Sequence, residues 1–112
     1  MRIAIPTAEG VLCAHFGHCR EFALMDVDPE AKTVASCTFE TPPPHEPGVL
    51  PAWLADKGVE VVIAGGMGQR ARDLLDQRGV KTVVGAQGGK PEEVAASWLG
   101  GTLEVGANLC DH

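Results

Sequence analysis

Apolar residues in this chain come in short bursts, and their period changes from one half of the sequence to the other. Residues 2–6 open with Ile3-Ala4-Ile5 between Arg2 and Pro6, which reads as a short buried strand stopped by the proline. Residues 7–17 then read as a loop containing two glycines. The run EFALMDVD at 21–28 predicts a second strand, and Asp28-Pro29-Glu30-Ala31 predicts a turn. A third strand is expected over 32–40, with Thr33, Ala35, Cys37 and Phe39 at period two on one face. The links are short, so the three strands should form an antiparallel meander.

From residue 41 the pattern turns helical. Thr41-Pro42-Pro43-Pro44-His45-Glu46-Pro47-Gly48 is a stiff extended connector. Leu50, Trp53 and Leu54, spaced i, i+3, i+4, predict a helix over 49–57, ended by Gly58. The continuous apolar run VEVVIA at 59–64 suits a parallel strand covered on both faces. Gly65-Gly66-Met67-Gly68 turns into a helix over 69–78, with Met67, Ala71, Leu74 and Leu75 as its apolar stripe and Gly79 as its stop. Residues 80–84 form the last firm strand. After the glycine-rich 85–89, Pro91 starts a helix with Glu92 and Glu93 near its positive end and Val94, Ala95, Trp98 and Leu99 inward. The tail from 102 is expected to pair a little at 103–105 and to be loose beyond. The order β-β-β-α-β-α-β-α predicts one domain over 1–112. It should be an α/β fold of ribonuclease H-like type: a mixed five-stranded sheet, three strands antiparallel and then two parallel, with three helices.

Charge narrows the function. The net charge is −6 and only nine Lys and Arg are present, without a basic cluster, which argues against nucleic acid. No apolar run is long enough to span a membrane, and Met1-Arg2 leads straight into the first strand without a leader segment. The chain is therefore expected to be cytoplasmic, with its thiols reduced and free to act as ligands.

Thiols and imidazoles are unevenly placed. Cys13-Ala14-His15-Phe16-Gly17-His18-Cys19 holds two of each, and Cys110 and His112 close the chain. These are the side chains that bind zinc, copper and metal–sulfur clusters. Cys13, His15, His18, Cys19, Cys110 and His112 are thus the candidate metal ligands. The spacing C-x-H-x-x-H-C is not that of a zinc finger. His45 reads as solvent-exposed and Cys37 as a small core residue. Gly65-Gly66-Met67-Gly68 lies between a strand and a helix but lacks the acidic residue that a dinucleotide site needs after the following strand. What remains is a glycine turn whose amides can hold an anion, with Gln87-Gly88-Gly89-Lys90 as a second. Gly66, Met67, Gly68, Gly88, Gly89 and Arg20 are the candidate cofactor contacts. Nuclease chemistry needs carboxylates converging on the sheet, and the first and fourth strands supply none. No nucleophile elbow, Ser-His-Asp order or C-x-x-C is present, so no enzyme activity is expected.

With Ile3-Ala4-Ile5-Pro6-Thr7, His15-Phe16-Gly17-His18-Cys19, Ile63-Ala64-Gly65-Gly66-Met67-Gly68, Gly79-Val80 and Cys110-Asp111-His112 in place, the chain resembles the dinitrogenase iron–molybdenum cofactor-binding family. That family includes NifX, NafY, the C-terminal part of NifB, small stand-alone proteins and a molybdenum–copper sulfide-binding orange protein. This chain is most similar to the stand-alone group. The resemblance implies a ribonuclease H-like fold without nuclease activity. It also implies the binding or carrying of an iron–sulfur, iron–molybdenum or molybdenum–copper sulfide cluster or its precursor, in exchange with a donor or acceptor protein. Two other readings of the same residues stay open: a simple zinc or copper site, and a metal-free interaction module. A homodimer is open as well.

Overall fold

In the computed structural model the described residues are 1–8, 11–12, 20–43, 49–86, 89–101 and 103. Six strands and three helices follow one another as β1 (Arg2–Ala8), β2 (Val11–Leu12), β3 (Glu21–Asp28), β4 (Thr33–Glu40), α1 (Val49–Asp56), β5 (Val61–Ile63), α2 (Gln69–Gln77), β6 (Lys81–Val83) and α3 (Pro91–Leu99). The main sheet is ordered β4-β3-β1-β5-β6, and the short β2 pairs with β1 outside that path. β1 runs antiparallel to β3 and β3 to β4, whereas β5 lies parallel to β1 and β6 parallel to β5. This is the mixed five-stranded, three-helix α/β arrangement expected of a ribonuclease H-like chain, with one small hairpin strand added.

Alternation along the central strands divides the core into two layers. Ala4, Phe22, Leu24, Val62 and Ala64 pack with Leu50 and Leu54 of α1 and Leu75 of α2. Ile3, Ile5, Ala23, Met25, Val61 and Ile63 pack with Val94 and Ala95 of α3 on the opposite face. The sheet is therefore a middle layer with α1 and α2 on one side and α3 on the other. The Phe22 and Trp53 rings meet at a centroid distance of 5.6 Å, tying β3 to α1. The Lys57 ammonium sits 5.7 Å from the Trp53 centroid and pairs with Glu40 at 2.7 Å, linking the end of α1 to the end of β4.

Two strand expectations need correction. β1 does not stop at Pro6 but runs through it to Ala8. Pro6 pairs with Phe22 of β3, and on its other flank the β5 ladder covers only Ile3 and Ala4 while the β2 ladder covers Thr7 and Ala8. The proline thus falls between two ladders, where no amide donor is required. In β4 the register against β3 shifts between Asp26 and Val27, so Asp26 faces Ser36 while Val27 faces Val34. Ala35 is the extra residue of a β-bulge. The bulge resets the alternation, so Val34 and Cys37 share the α3 face and Ala35 is exposed; Phe39, in phase with Cys37, is 44% exposed. Lys32, expected to open this strand, has φ 58 and belongs to the preceding turn.

Candidate functional site

β1, β5 and β6 are parallel, so the segments that leave their carboxyl ends emerge along one edge of the sheet. After β1 come β2 and residues 13–19; after β5 comes Gly65-Gly66-Met67-Gly68; after β6 come residues 84–90. The last two are stitched together, since the amides of Gly85 and Ala86 donate to the carbonyls of Gly65 and Ala64 at 3.0 and 3.2 Å. From this edge β5 feeds α2 on one face, whereas β6 feeds α3 on the other. The carboxyl edge where connections of neighbouring parallel strands part to opposite faces is the usual place for a ligand in an α/β sheet.

The thiol- and imidazole-bearing segment is fixed at both ends to a single residue of this edge. Leu12 is paired with Thr7 in the β1–β2 hairpin, and the amide of Arg20 donates to the Thr7 carbonyl at 3.0 Å. Thr7 is fully buried, and its Oγ1 donates to the carbonyl of Glu21 at 3.0 Å, which fastens β1 to the start of β3. Cys13, His15, His18 and Cys19 lie outside the described residues, as do His45, Gly88, Cys110 and His112. Among the described residues no group of three or more His, Cys, Asp or Glu could hold a metal ion.

Of the other candidates, Arg20 is exposed at the edge, Gly66 is buried in its turn, and Gly68 is exposed as the N-cap of α2. The Met67 side chain is fully buried in the α1–α2 layer. It packs the core. Gly89 has φ 149, a conformation that favours glycine. It precedes Lys90, the N-cap of α3. Neither α2 nor α3 receives a side-chain cap, and α2 has no acid in its first turn. The first amides of α2 therefore keep their partial positive charge at the edge, whereas Glu92 and Glu93 in the first turn of α3 offset it there. Arg20, Arg70 and Lys90 are exposed and make no ion pair among the described residues. Glu92 and Glu93 are exposed beside Lys90, and Glu93 Oε2 lies 3.9 Å from where a Cβ on Gly89 would stand, so this edge carries both signs of charge. Arg70 was absent from the sequence-based candidates; its place in the first turn of α2 was the available signal.

Cys37, on β4, is half-buried. Burial, and then the Glu92 carboxylate that accepts its S–H, push its thiol up to about 11. A thiol so disposed is a poor ligand and nucleophile at neutral pH.

The family model described as dinitrogenase iron-molybdenum cofactor matches residues 1–101. Among solved structures, PH0822 is 30% identical, with a TM-score of 0.85 and 94% of each chain covered. The apo form of the orange protein from Desulfovibrio gigas is 21% identical, with a TM-score of 0.75, covering 96% of this chain and 93% of its own. No curated protein sequence matches significantly.

Proposed function

The chain belongs to the dinitrogenase iron–molybdenum cofactor family, and from that premise we propose that it binds and carries a metal–sulfur cluster or cluster precursor at the carboxyl edge of its sheet, without catalysing a reaction. The observation that carries this reading is that Leu12 and Arg20, the residues flanking 13–19, are both held to Thr7, beside the paired segments after β5 and β6. Two thiols and two imidazoles in seven residues are a donor set for soft and borderline metals. Cys13, His15, His18 and Cys19 are the proposed inner ligands, with Cys110 and His112 joining from the tail. Backbone amides at Gly66, Met67, Gly68, Gly88 and Gly89, together with Arg20, would offset the charge of an anionic cluster. The likeness in fold to the orange protein is consistent with a molybdenum–copper sulfide as cargo, and the family with an iron–molybdenum one. Delivery to an acceptor protein follows from the carrier role.

The test is metal and acid-labile sulfide analysis, with a visible spectrum, on protein purified anaerobically without chelators. Iron or molybdenum with sulfide is the expected result, lost in Cys13→Ala/Cys19→Ala while the circular dichroism spectrum is retained. One zinc or copper without sulfide would replace the cluster by a simple metal site. Undiminished loading in the double variant would remove the ligand assignment.

A further inference from the structure

The sheet ends in two unequal edges, β6 and β4. β6 is three residues long and begins at the exposed Lys81, the short and lysine-marked form in which edges are protected. β4 is eight residues long, and among the described residues no strand pairs with its outer flank. The bulge at Ala35 interrupts its first half and protects that part. Beyond the bulge, residues 36–40 keep an unbroken register with β3. They carry one charge, Glu40, which Lys57 holds at 2.7 Å. Thr41-Pro42-Pro43 follows, and a proline has no amide with which to extend a ladder. The unprotected edge is thus a short regular stretch closed at both ends. Cys37 and Phe39 lie on its α3 face, and Ser36, Thr38 and Glu40 on the other. Ser36 and Thr38 are exposed, and Phe39 is, with Met1, one of two large hydrophobic residues exposed among those described.

We infer that this stretch pairs antiparallel with the same stretch of a second copy of the chain, across a two-fold axis at Thr38. Symmetry restricts the register. A two-fold axis that relates two antiparallel edge strands stands perpendicular to the sheet and keeps each face continuous. Residues that oppose one another must then belong to the same face, so the axis falls on a residue and not between two, and a slip by one residue is excluded. An axis at Thr38 is the choice that uses the whole of residues 36–40. It sets Ser36 against Glu40 of the partner subunit, Cys37 against Phe39 of the partner subunit, and the two Thr38 side chains against each other. The Cys37–Phe39 contact is made twice and covers each exposed ring with a small side chain, and threonine pairs are favourable across strands. No like charges face each other. Stable dimers bury about 1,200–2,000 Å², and a single short ladder belongs with the weaker, reversible contacts below that range. The inference goes beyond the carrier reading and does not rest on it.

The test is analytical ultracentrifugation of the full-length protein in reducing buffer, from micromolar to millimolar concentration. The wild-type chain should pass from monomer toward dimer across that range. Thr38→Lys sets two like charges against each other on the axis and should raise the dimer dissociation constant severalfold. Its circular dichroism spectrum should stay native, because Thr38 is exposed. Thr38→Glu should do the same. An equimolar mixture of the two variants should associate again, because the axis then brings a lysine against a glutamate. Thr33→Lys, at an exposed position before the bulge, should leave association unchanged. A wild-type chain that stays monomeric at millimolar concentration would overturn the inference and leave this edge to an extended segment of another protein. Undiminished dimer in Thr38→Lys, or no association in the mixture, would overturn it as well.

Discussion

Cys37 and Met67 show what a single position can and cannot announce. Both are sulfur-bearing residues in a chain whose chemistry is proposed to be that of sulfur and metal, and the structure turns both inward. Met67 is fully buried, so its lone place in a glycine turn was no guide to where its side chain points. Cys37 has its thiol pushed up to about 11, first by burial and then by Glu92. At pH 8 it should therefore hold far less thiolate than an ordinary cysteine and react slowly with iodoacetamide. Glu92→Gln removes the negative charge, so the thiol pKa should fall and alkylation at pH 8 should accelerate severalfold. Mass spectrometry on protein with the other cysteines changed to serine reads this out, and an unchanged rate in Glu92→Gln would refute the role of the carboxylate. The linkage to stability has a definite sign. The folded-state thiol holds its proton beyond the ordinary thiol value of 9.0, up to about 11, so stability from this group is full below 9.0 and declines as the pH rises through that window.

At the scale of elements, the glycines around α2 act through different physics. Gly79, just past the helix, has φ 76, and an added Cβ would meet nothing within 4 Å. Gly79→Ala should cost about 1–2 kcal/mol from backbone strain alone. Gly68, at the other end, is extended at φ −67 with equally open space, so Gly68→Ala should leave stability within about 0.5 kcal/mol. Urea denaturation of the pair separates the two cases, and equal losses would contradict the account. Most elements were legible in the sequence because their signals are local: the run at β5, the i, i+3, i+4 stripe of α1, Pro91 at the start of α3. The misread parts depend on neighbours. Whether Pro6 can sit inside a strand depends on which ladders flank it, and the β2 hairpin strand of two residues is below any periodic signal. The bulge at Ala35 arises from register against β3 and carries no glycine to mark it. The candidate site was legible in its residue types and in the glycine loops. Their common edge became visible only with the strand order, because parallelism of β1, β5 and β6 is a property of the assembled sheet.

At the scale of the whole molecule, the question is whether the fold depends on its proposed cargo. In a zinc finger the metal stands in for a missing core, and the apo chain is unfolded. Here an apolar layer lies on each face of the sheet, and Phe22, Ile3, Ile5, Leu54, Ile63 and Leu75 are fully buried. No buried side-chain nitrogen or oxygen among the described residues lacks a hydrogen-bond partner. The proposed ligands fall between Leu12 and Arg20, both held to Thr7 at the end of β1, so cargo should bind to an already folded protein. The apo protein should thus show native near-ultraviolet circular dichroism and one cooperative thermal transition. Loading should then add stability by mass action alone, about 2.7 kcal/mol at a hundredfold excess over Kd, or about 10 °C in Tm for a domain of this size. Chelation should return Tm to the apo value without unfolding the chain, and Cys13→Ala/Cys19→Ala should match the apo protein whether or not cluster is supplied. An apo form without a cooperative transition would mean that the metal is part of the core, and the rim site would have to be given up in favour of a structural centre.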